Sequence, residues 1–270
     1  MSLLLDVMLS IKAYGNMRAK LLVHSRDYAS IQAGVDKIIP AIEKQLEAVK
    51  DELQGVQDYP NEELISIIQE VGFECDFCAR CCTRVFNDHV FLLNEDVIRM
   101  NQINPDCMEP APYFELCDQQ GRFYVSGYAL KAKEDGSCIF LNEEKRCKIY
   151  SQRPTICSLY PYMLHREPDE NGNVDWRQIS GLNQHGCYHT EISDEEASEI
   201  ADQIKSYETS YLSQLIEFFK KAEEHFSKKK LKHVQGVYDR EMRKFNKGGE
   251  ITVSVYYNGE FVEHKFKGQE

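Results

Sequence analysis

The sequence predicts a helix-rich α+β fold, in which long helices flank an irregular cysteine-rich centre and a β-hairpin lies near the C-terminus. Apolar residues recur every three or four positions in two long segments, which is typical of helices that pack on a core. Four cysteines fall within residues 75–82, and strand-type residues alternate on both sides of Asn258-Gly259. The 270 residues are 42% hydrophobic and 28% charged, which is typical of soluble globular proteins.

Residues 1–72 are expected to form an N-terminal helical segment. An apolar stripe at helical spacing predicts a long helix over residues 28–56. Pro40 lies inside that stripe and is expected to kink or divide the helix, because proline lacks the backbone donor. Asn61 is expected to cap a second helix, and Gly72 is expected to end it.

Residues 73–190 are expected to form the irregular centre, which carries only short elements. Strand-type residues predict one strand at 90–93 and another at 123–130. The remaining cysteines lie in this segment, so its fold is expected to depend on what those cysteines bind.

Residues 191–249 are expected to form a long C-terminal helical segment. Ser193 and Glu196 have the spacing of a capping box, and an apolar stripe follows them. Residues 250–270 are expected to form a β-hairpin tail, because Asn-Gly between two alternating segments is a strong hairpin signal.

The ten cysteines are the unusual feature of the composition. Disulfide frameworks belong to small secreted chains with a signal peptide. The first ten residues, MSLLLDVMLS, are too short to span a bilayer and show no clear cleavage site, and no other segment predicts a transmembrane helix. We therefore expect a cytoplasmic protein whose reduced thiols are held by metal, which would staple the irregular centre.

A dense cysteine motif opens the centre. Cys75, Cys78, Cys81 and Cys82 follow the pattern C-x2-C-x2-C-C. Two successive C-x2-C steps open the ligand run of bacterial ferredoxins, whereas a zinc site needs only one such pair. Cys81 and Cys82 are adjacent, and in extended backbone their side chains point to opposite faces. Either they serve different centres, or only one of them is a ligand.

Further cysteines follow, which makes two groups of four. Pro154 suits the first position of a short helix, and Cys157 would then lie in its first turn, where backbone N–H groups favour a thiolate. Arg153 and Arg80 lie beside cluster cysteines and are expected to stabilise an anionic centre without ligating it. The eight candidate metal ligands are Cys75, Cys78, Cys81, Cys82, Cys138, Cys147, Cys157 and Cys187.

Two further cysteines, Cys107 and Cys117, lie outside the pattern and are expected to be buried apolar thiols. His185 and His189 flank Cys187 and could ligate, although a single histidine is more often a hydrogen-bonded core or surface residue.

The metal itself has two interpretations. A [4Fe–4S] cluster held by four thiolates is a net anion, so it benefits from basic residues nearby. Eight thiolates could equally fill two closed tetrahedral Zn²⁺ sites. The doubled C-x2-C step and the local basic residues favour the iron–sulfur cluster, and Zn²⁺ is the alternative.

The cysteine segments resemble the CxxCxxCC cysteine-cluster family, also called YkgJ-like, which is described as zinc- or iron-chelating. Flagellin lysine N-methylases resemble part of this family, which implies a [4Fe–4S] cluster, methyl transfer to a protein side chain and S-adenosylmethionine as a candidate cofactor. Ser158 departs from the pattern, since many members carry Arg there. The matching residues are Phe73-Glu-Cys75-x2-Cys78-x2-Cys81-Cys82, Cys138-x-Phe-Leu and Cys147-x-Ile-Tyr-x2-Arg153-Pro154-x2-Cys157-x3-Pro161.

Several functional classes are not indicated. The chain has no dinucleotide-binding or P-loop glycine motif, and it lacks the C-x3-C-x2-C run of radical S-adenosylmethionine enzymes. Its net charge of -12 argues against a nucleic-acid coat. Residues 220–247 are an exception, with ten basic and four acidic residues, or +6 against -18 for the rest. This stretch could meet nucleic acid or a membrane surface, but a solvated helix face is the favoured interpretation.

Three functions are therefore compatible with the sequence. The first is a metalloenzyme that methylates a protein lysine or performs redox chemistry, with a protein substrate as its partner. The second is a zinc-chelating structural or partner-binding module without catalysis. The third is an electron carrier. The sequence does not decide whether the protein is an enzyme, and it gives no substrate and no oligomeric state.

Overall fold

A computed structural model describes residues 39–83, 85–86, 89–164, 176, 179 and 181–268. Its first two helices are α1, Ile39–Asp58, and α2, Asn61–Val71. Pro40 lies in the first turn of α1, where a missing backbone donor is tolerated. The part of the predicted helix that precedes residue 39 falls outside the described residues. Pro60, rather than Asn61, occupies the cap position of α2, so the predicted asparagine cap is wrong by one residue.

Gly72 ends α2, as the sequence predicts. Its φ of 50° is in the left-handed region, and its N–H donates to the Ile68 carbonyl at 2.8 Å. A Cβ at this position would lie 2.2 Å from the carbonyl oxygen of Thr190. The glycine therefore lets the chain segment that follows Cys187 lie against the end of α2.

Four further α-helices and seven strands are present in the described residues. Their bounds are α3 Asn94–Ile103, α4 Thr155–Leu159, α5 Asp194–Lys229, α6 Gln235–Phe245, β1 Phe91–Leu92, β2 Met108–Pro110, β3 Leu116–Cys117, β4 Arg122–Val125, β5 Tyr128–Leu130, β6 Glu250–Tyr257 and β7 Glu260–Lys267. The α+β prediction is confirmed.

The strands form two sheets. An antiparallel sheet has the order β1-β5-β2, and a four-stranded sheet has the order β3-β4-β6-β7. The single strand predicted over 123–130 is wrong, because residues 126–127 separate β4 from β5 and the two strands enter different sheets.

The predicted hairpin is confirmed, with Asn258 and Gly259 at positive φ between β6 and β7. β6 also pairs in parallel with β4, Phe123 lying opposite Val253. The hairpin and the cysteine-rich segment therefore share one sheet.

The long helix α5 organises the molecule. The Ser193 hydroxyl caps it by accepting from the Glu196 N–H, as the sequence predicts. Its buried stripe packs against α1, α2 and α4. Among the described residues, no helix is both long and apolar enough to cross a membrane.

Two clusters of buried side chains make the core. One lies between α1, α2, α5 and the inward faces of the sheets, with Ile68, Leu212 and Phe218 at its centre. The other lies on the far side of the four-stranded sheet, where Phe123 and Val253 pack with residues of α3 and α6. The cysteine-rich loops lie at the edge of this body and are supported by both sheets.

Candidate metal centre

One cavity of about 420 Å³ gathers most of the predicted ligands. Seven of the eight candidate cysteines line it, namely Cys75, Cys78, Cys81, Cys82, Cys138, Cys147 and Cys157. They come from three segments that are far apart in sequence. Cys187 is exposed and does not belong to the lining, so its ligand role stays a prediction.

Backbone hydrogen bonds bring two of these segments together. The Cys138 N–H donates to the Cys82 carbonyl at 2.8 Å. Cys138 also begins a tight turn, in which the Leu141 N–H donates to the Cys138 carbonyl at 2.9 Å. Leu141 in turn pairs with Cys147 in an isolated antiparallel bridge. Main-chain contacts therefore place Cys82, Cys138 and Cys147 near one another.

The first motif is shaped by backbone turns. Phe77 and Ala79 adopt positive φ of 60° and 64°, which curls the chain between the cysteines. The Asp76 carboxylate accepts from the Cys78 N–H at 3.0 Å and stabilises the first of these turns. A run of such turns lets thiols at C-x2-C spacing face one cavity.

Cys187 is held close to this loop. Glu74 and Cys187 exchange two backbone hydrogen bonds of 2.8 and 2.9 Å. In such a pair the directly opposite side chains project to the same face. The Cys187 side chain therefore lies on the face of Glu74, next to the loop that begins at Cys75.

The adjacent pair differs from the expectation for extended backbone. Residues 80–82 form a 3₁₀ turn, and the Sγ atoms of Cys81 and Cys82 are 3.9 Å apart. In a turn of three residues, neighbouring side chains diverge by only about 120° instead of alternating between faces. The backbone here is therefore not extended, and the two thiols do not lie on opposite faces. Whether the two cysteines serve different centres or only one is a ligand stays a prediction.

Four thiols form an inner set with mutual electrostatic effects, namely Cys82, Cys138, Cys147 and Cys157. Burial raises the pKa of Cys138 to about 11, and the neighbouring Cys82 and Cys147 raise it further. The contact with Cys81, and then burial, raise the pKa of Cys82. Metal binding to thiols such as these is coupled to the release of their protons, because the thiolate is the ligand.

Cys157 does not have the thiolate-stabilising environment that its place in α4 suggested. The residue is partly exposed, but its thiol is enclosed by protein. Burial is the main cause that raises its pKa, followed by Cys138, Cys82 and Cys147, whereas Arg153 lowers it. Desolvation of the thiolate outweighs the N–H groups of so short a helix.

The thiols have the donor chemistry for a metal. Zinc takes four sulfurs at about 2.3 Å from one centre, whereas an iron–sulfur cluster takes thiolates on separate irons. Within the described part of the chain, no three His, Cys, Asp or Glu side chains converge on a point that could hold one metal ion. Both groups would use the thiols that this cavity gathers.

The two predicted arginines have different positions. Arg153 lines the cavity, and its guanidinium lies 4.0 Å from the centre of the Tyr150 ring. It lowers the pKa of Cys147 and Cys157, against the larger effect of burial. Arg80 does not line the cavity. Its Nη1 donates instead to the Gln184 carbonyl at 2.5 Å.

An aromatic wall closes one side of the cavity. The Tyr160 hydroxyl and His185 Nε2 are 2.7 Å apart, and Nδ1 of His185 is 3.1 Å from the Gly181 carbonyl. Both ring nitrogens of His185 therefore already have partners. Phe73 and Tyr188 complete this wall beside Cys78 and Cys81. His189 has its Nδ1 3.1 Å from the Glu70 carbonyl.

The two remaining cysteines are buried, as predicted. Cys107 and Cys117 have no exposed surface and lie in the core cluster beneath the four-stranded sheet. His165 and Arg84, which the sequence also places near the cysteines, fall outside the described residues.

Sequence reasoning missed the support of the helix that carries Cys157. Asp96 is fully buried on α3, and its Oδ1 accepts from both the backbone N–H and the hydroxyl of Thr155 at 3.1 and 3.0 Å. Arg99 pairs with the same carboxylate. An acidic residue in the first turn of a helix is common, because it interacts favourably with the helix dipole. No local sequence signal therefore indicates that Asp96 holds the start of α4.

Comparison with known proteins agrees with this geometry. Residues 74–181 match the CxxCxxCC family model, described as a putative zinc- or iron-chelating domain. An uncharacterized protein of Methanocaldococcus jannaschii is 33% identical over 96 residues, which is 35% of this chain and 47% of that protein. The match thus spans about half of the relative's length. No solved structure matches the chain. Residues 74–181 are therefore similar to a CxxCxxCC domain, and this match supports metal binding by the cysteine-rich part of the chain.

Proposed function

We propose that the protein holds a [4Fe–4S] cluster in the cysteine cavity. The observation that carries the proposal is the meeting of seven thiols from three separate segments around one space of about 420 Å³. The doubled C-x2-C step supports a cluster over a single ion, because such a run opens the ligand set of bacterial ferredoxins, whereas a zinc site needs only one such pair.

The inner set is the best candidate for the four ligands. Cys82, Cys138 and Cys147 are joined by backbone contacts, and Cys157 completes the set from α4. Cys75, Cys78, Cys81 and Cys187 remain candidates for a second centre or for replacing a member of the inner set. Such a cluster would supply one-electron redox chemistry when bound.

The place of Arg153 supports an anionic centre. Basic residues Arg153, Lys145 and Lys131 line the cavity together with acidic Glu74, Asp76 and Glu196, so the support comes from the position of one cation and not from a net charge. Arg153 stacks on Tyr150, which fixes the guanidinium near the inner set without making it a ligand. Arg80, which points to Gln184, would act on the cluster only over a longer distance.

The cavity continues beyond the thiols. Ile156, Ile200 and Met163 form an apolar wall, and Glu196 and Gln203 of α5 lie at its rim. A small substrate or an inserted side chain would meet the centre along this part of the lining. Redox chemistry and methyl transfer to a protein lysine, with S-adenosylmethionine as cofactor, are the two reactions to test.

An absorption spectrum of protein purified without oxygen tests the proposal. A brown protein whose colour bleaches on reduction with dithionite is the expected result. A colourless protein that contains zinc would contradict it and would favour the alternative, a zinc-chelating module that binds a partner without catalysis.

A further inference from the structure

A second cavity, of about 400 Å³, lies on the other side of Arg153. Elements α3, α4 and α5 and the turn at residues 150–152 surround it. Unlike the cysteine cavity, it is rich in hydroxyl groups and arginine. The polar residues of its lining are Glu95, Arg99, Ser151, Gln152, Arg153, Thr155, Ser158, Gln203, Ser206, Tyr207 and Ser210.

Arg99 is positioned rigidly at this cavity. Its Nη2 donates to the buried carboxylate of Asp96 and to the Arg153 carbonyl at 3.2 Å. Its Nε is buried and has no acceptor among the described residues, while the side chain as a whole is 38% exposed. The exposed part of the guanidinium at this cavity can therefore donate to a ligand while Nη2 holds the side chain in place.

Arg153 is the second cation. Its Nε donates to the Ser158 hydroxyl at 3.2 Å, and its guanidinium is stacked on Tyr150. Arg153, Ser158, Leu159 and Gln203 line both cavities, so they form the partition between them.

The charges at the cavity balance. Asp96 neutralises Arg99, and Glu95 on the lining offsets Arg153, so an anion would be held by directed hydrogen bonds rather than by net charge. Hydroxyl groups of Ser206 and Ser210 on α5 and of Ser151 can donate to oxygen atoms without adding charge.

We propose that this polar cavity binds an oxyanion, the phosphate or carboxylate group of a small molecule, between Arg99, Arg153 and the serines of α5. Guanidinium groups and hydroxyls are the donors that suit such oxygens. The anion site itself does not depend on the proposed cluster.

Titration calorimetry on the full-length protein tests the site. Inorganic phosphate and acetate are added separately at constant ionic strength, with chloride as the reference. We expect at least one of the two to bind saturably, and the one that binds identifies the phosphate or the carboxylate class. No saturable binding of either above chloride would overturn the proposal.

Matched variants test the location. We expect Arg153→Gln to weaken binding by about tenfold, as for the loss of a charge-assisted hydrogen bond. Arg146→Gln, with the same charge change at an exposed site, should bind as the parent does. Equal affinity of the two variants would contradict the proposal.

A second pair of variants avoids the network around Asp96. Ser206 is solvent-exposed and lines the cavity from α5. Ser206→Asp adds a negative charge there, and repulsion between this charge and the anion is expected to abolish binding. Ser227→Asp makes the same change on the same helix outside the lining and should have no effect on binding. Retained binding in Ser206→Asp would place the anion elsewhere.

Discussion

The backbone N–H of Cys138 donates a hydrogen bond of 2.8 Å to the carbonyl oxygen of Cys82. The two residues are 56 positions apart, 138 minus 82, and each belongs to a different cysteine segment. This bond places the end of the first motif against the start of the second. It uses only main-chain atoms, so the two thiols are brought together without any contact between their own side chains.

Replacement of an inner ligand should remove the metal. We expect Cys157→Ser to lose most of its iron and sulfide, because a serine hydroxyl is a poor substitute for a thiolate at iron. Cys107→Ser is the matched control, since Cys107 is a buried cysteine outside the cavity. It should keep its metal, although its stability should fall by about 1 kcal/mol. Equal metal loss in both variants would mean that unfolding, and not ligation, is responsible.

The charge of Arg153 should tune the cluster. Arg153→Gln removes a cation beside the inner thiols, so the anionic cluster becomes harder to reduce. We expect the reduction potential to fall by on the order of tens of millivolts, allowing for the partial exposure of Arg153. Arg240→Gln, an exposed arginine of α6, should leave it unchanged. A rise in potential in Arg153→Gln would contradict the assigned position of the cluster.

Gly72 should be required for the close packing of the C-terminal end of α2 against the backbone of Thr190. Gly72→Ala places a Cβ against the Thr190 carbonyl at a residue with positive φ. We expect its free energy of unfolding to fall by about 1–3 kcal/mol. Gly55→Ala, inside α1 with no atom near the added Cβ, should instead gain about 0.5–1 kcal/mol. Chemical denaturation of both variants measures the difference.

His233 should make stability fall in mild acid. Burial lowers its pKa from the usual 6.5, and its Nδ1 accepts from the Cys117 N–H at 3.0 Å. The unfolded chain therefore binds the proton more readily than the folded one. Its stabilising contribution is complete above pH 6.5 and decreases as the pH falls from there towards the lowered value.

His233→Asn tests this assignment, because the asparagine carbonyl can accept the same hydrogen bond without titrating. We expect the loss of stability between neutral and mildly acid pH to be smaller in this variant than in the parent. Denaturation curves at several pH values check it. An unchanged pH dependence would show that other groups cause the effect.

Local patterns were enough for the long elements of the fold. Ser193 and the stripe behind it predicted α5, and Asn258-Gly259 predicted the hairpin. The parallel pairing of β6 with β4 was not predictable, because it joins segments more than a hundred residues apart and no local residue selects that partner. The split between β4 and β5 follows from this pairing and was missed for the same reason.

The cysteine spacing predicted the lining of the first cavity, because ligands of one centre recur at fixed local intervals. It did not predict the orientation of Cys81 and Cys82, which depends on a 3₁₀ turn. The polar cavity was missed altogether, since Arg99, Arg153 and Ser206 come from three elements and form no motif in sequence.

Iron, acid-labile sulfide and zinc per chain, measured on protein purified without oxygen, decide what the cysteine cavity holds. The proposal predicts about four iron and about four sulfide per centre, with little zinc. One or two zinc ions per chain, without sulfide, would contradict the iron–sulfur assignment and identify a zinc-chelating domain.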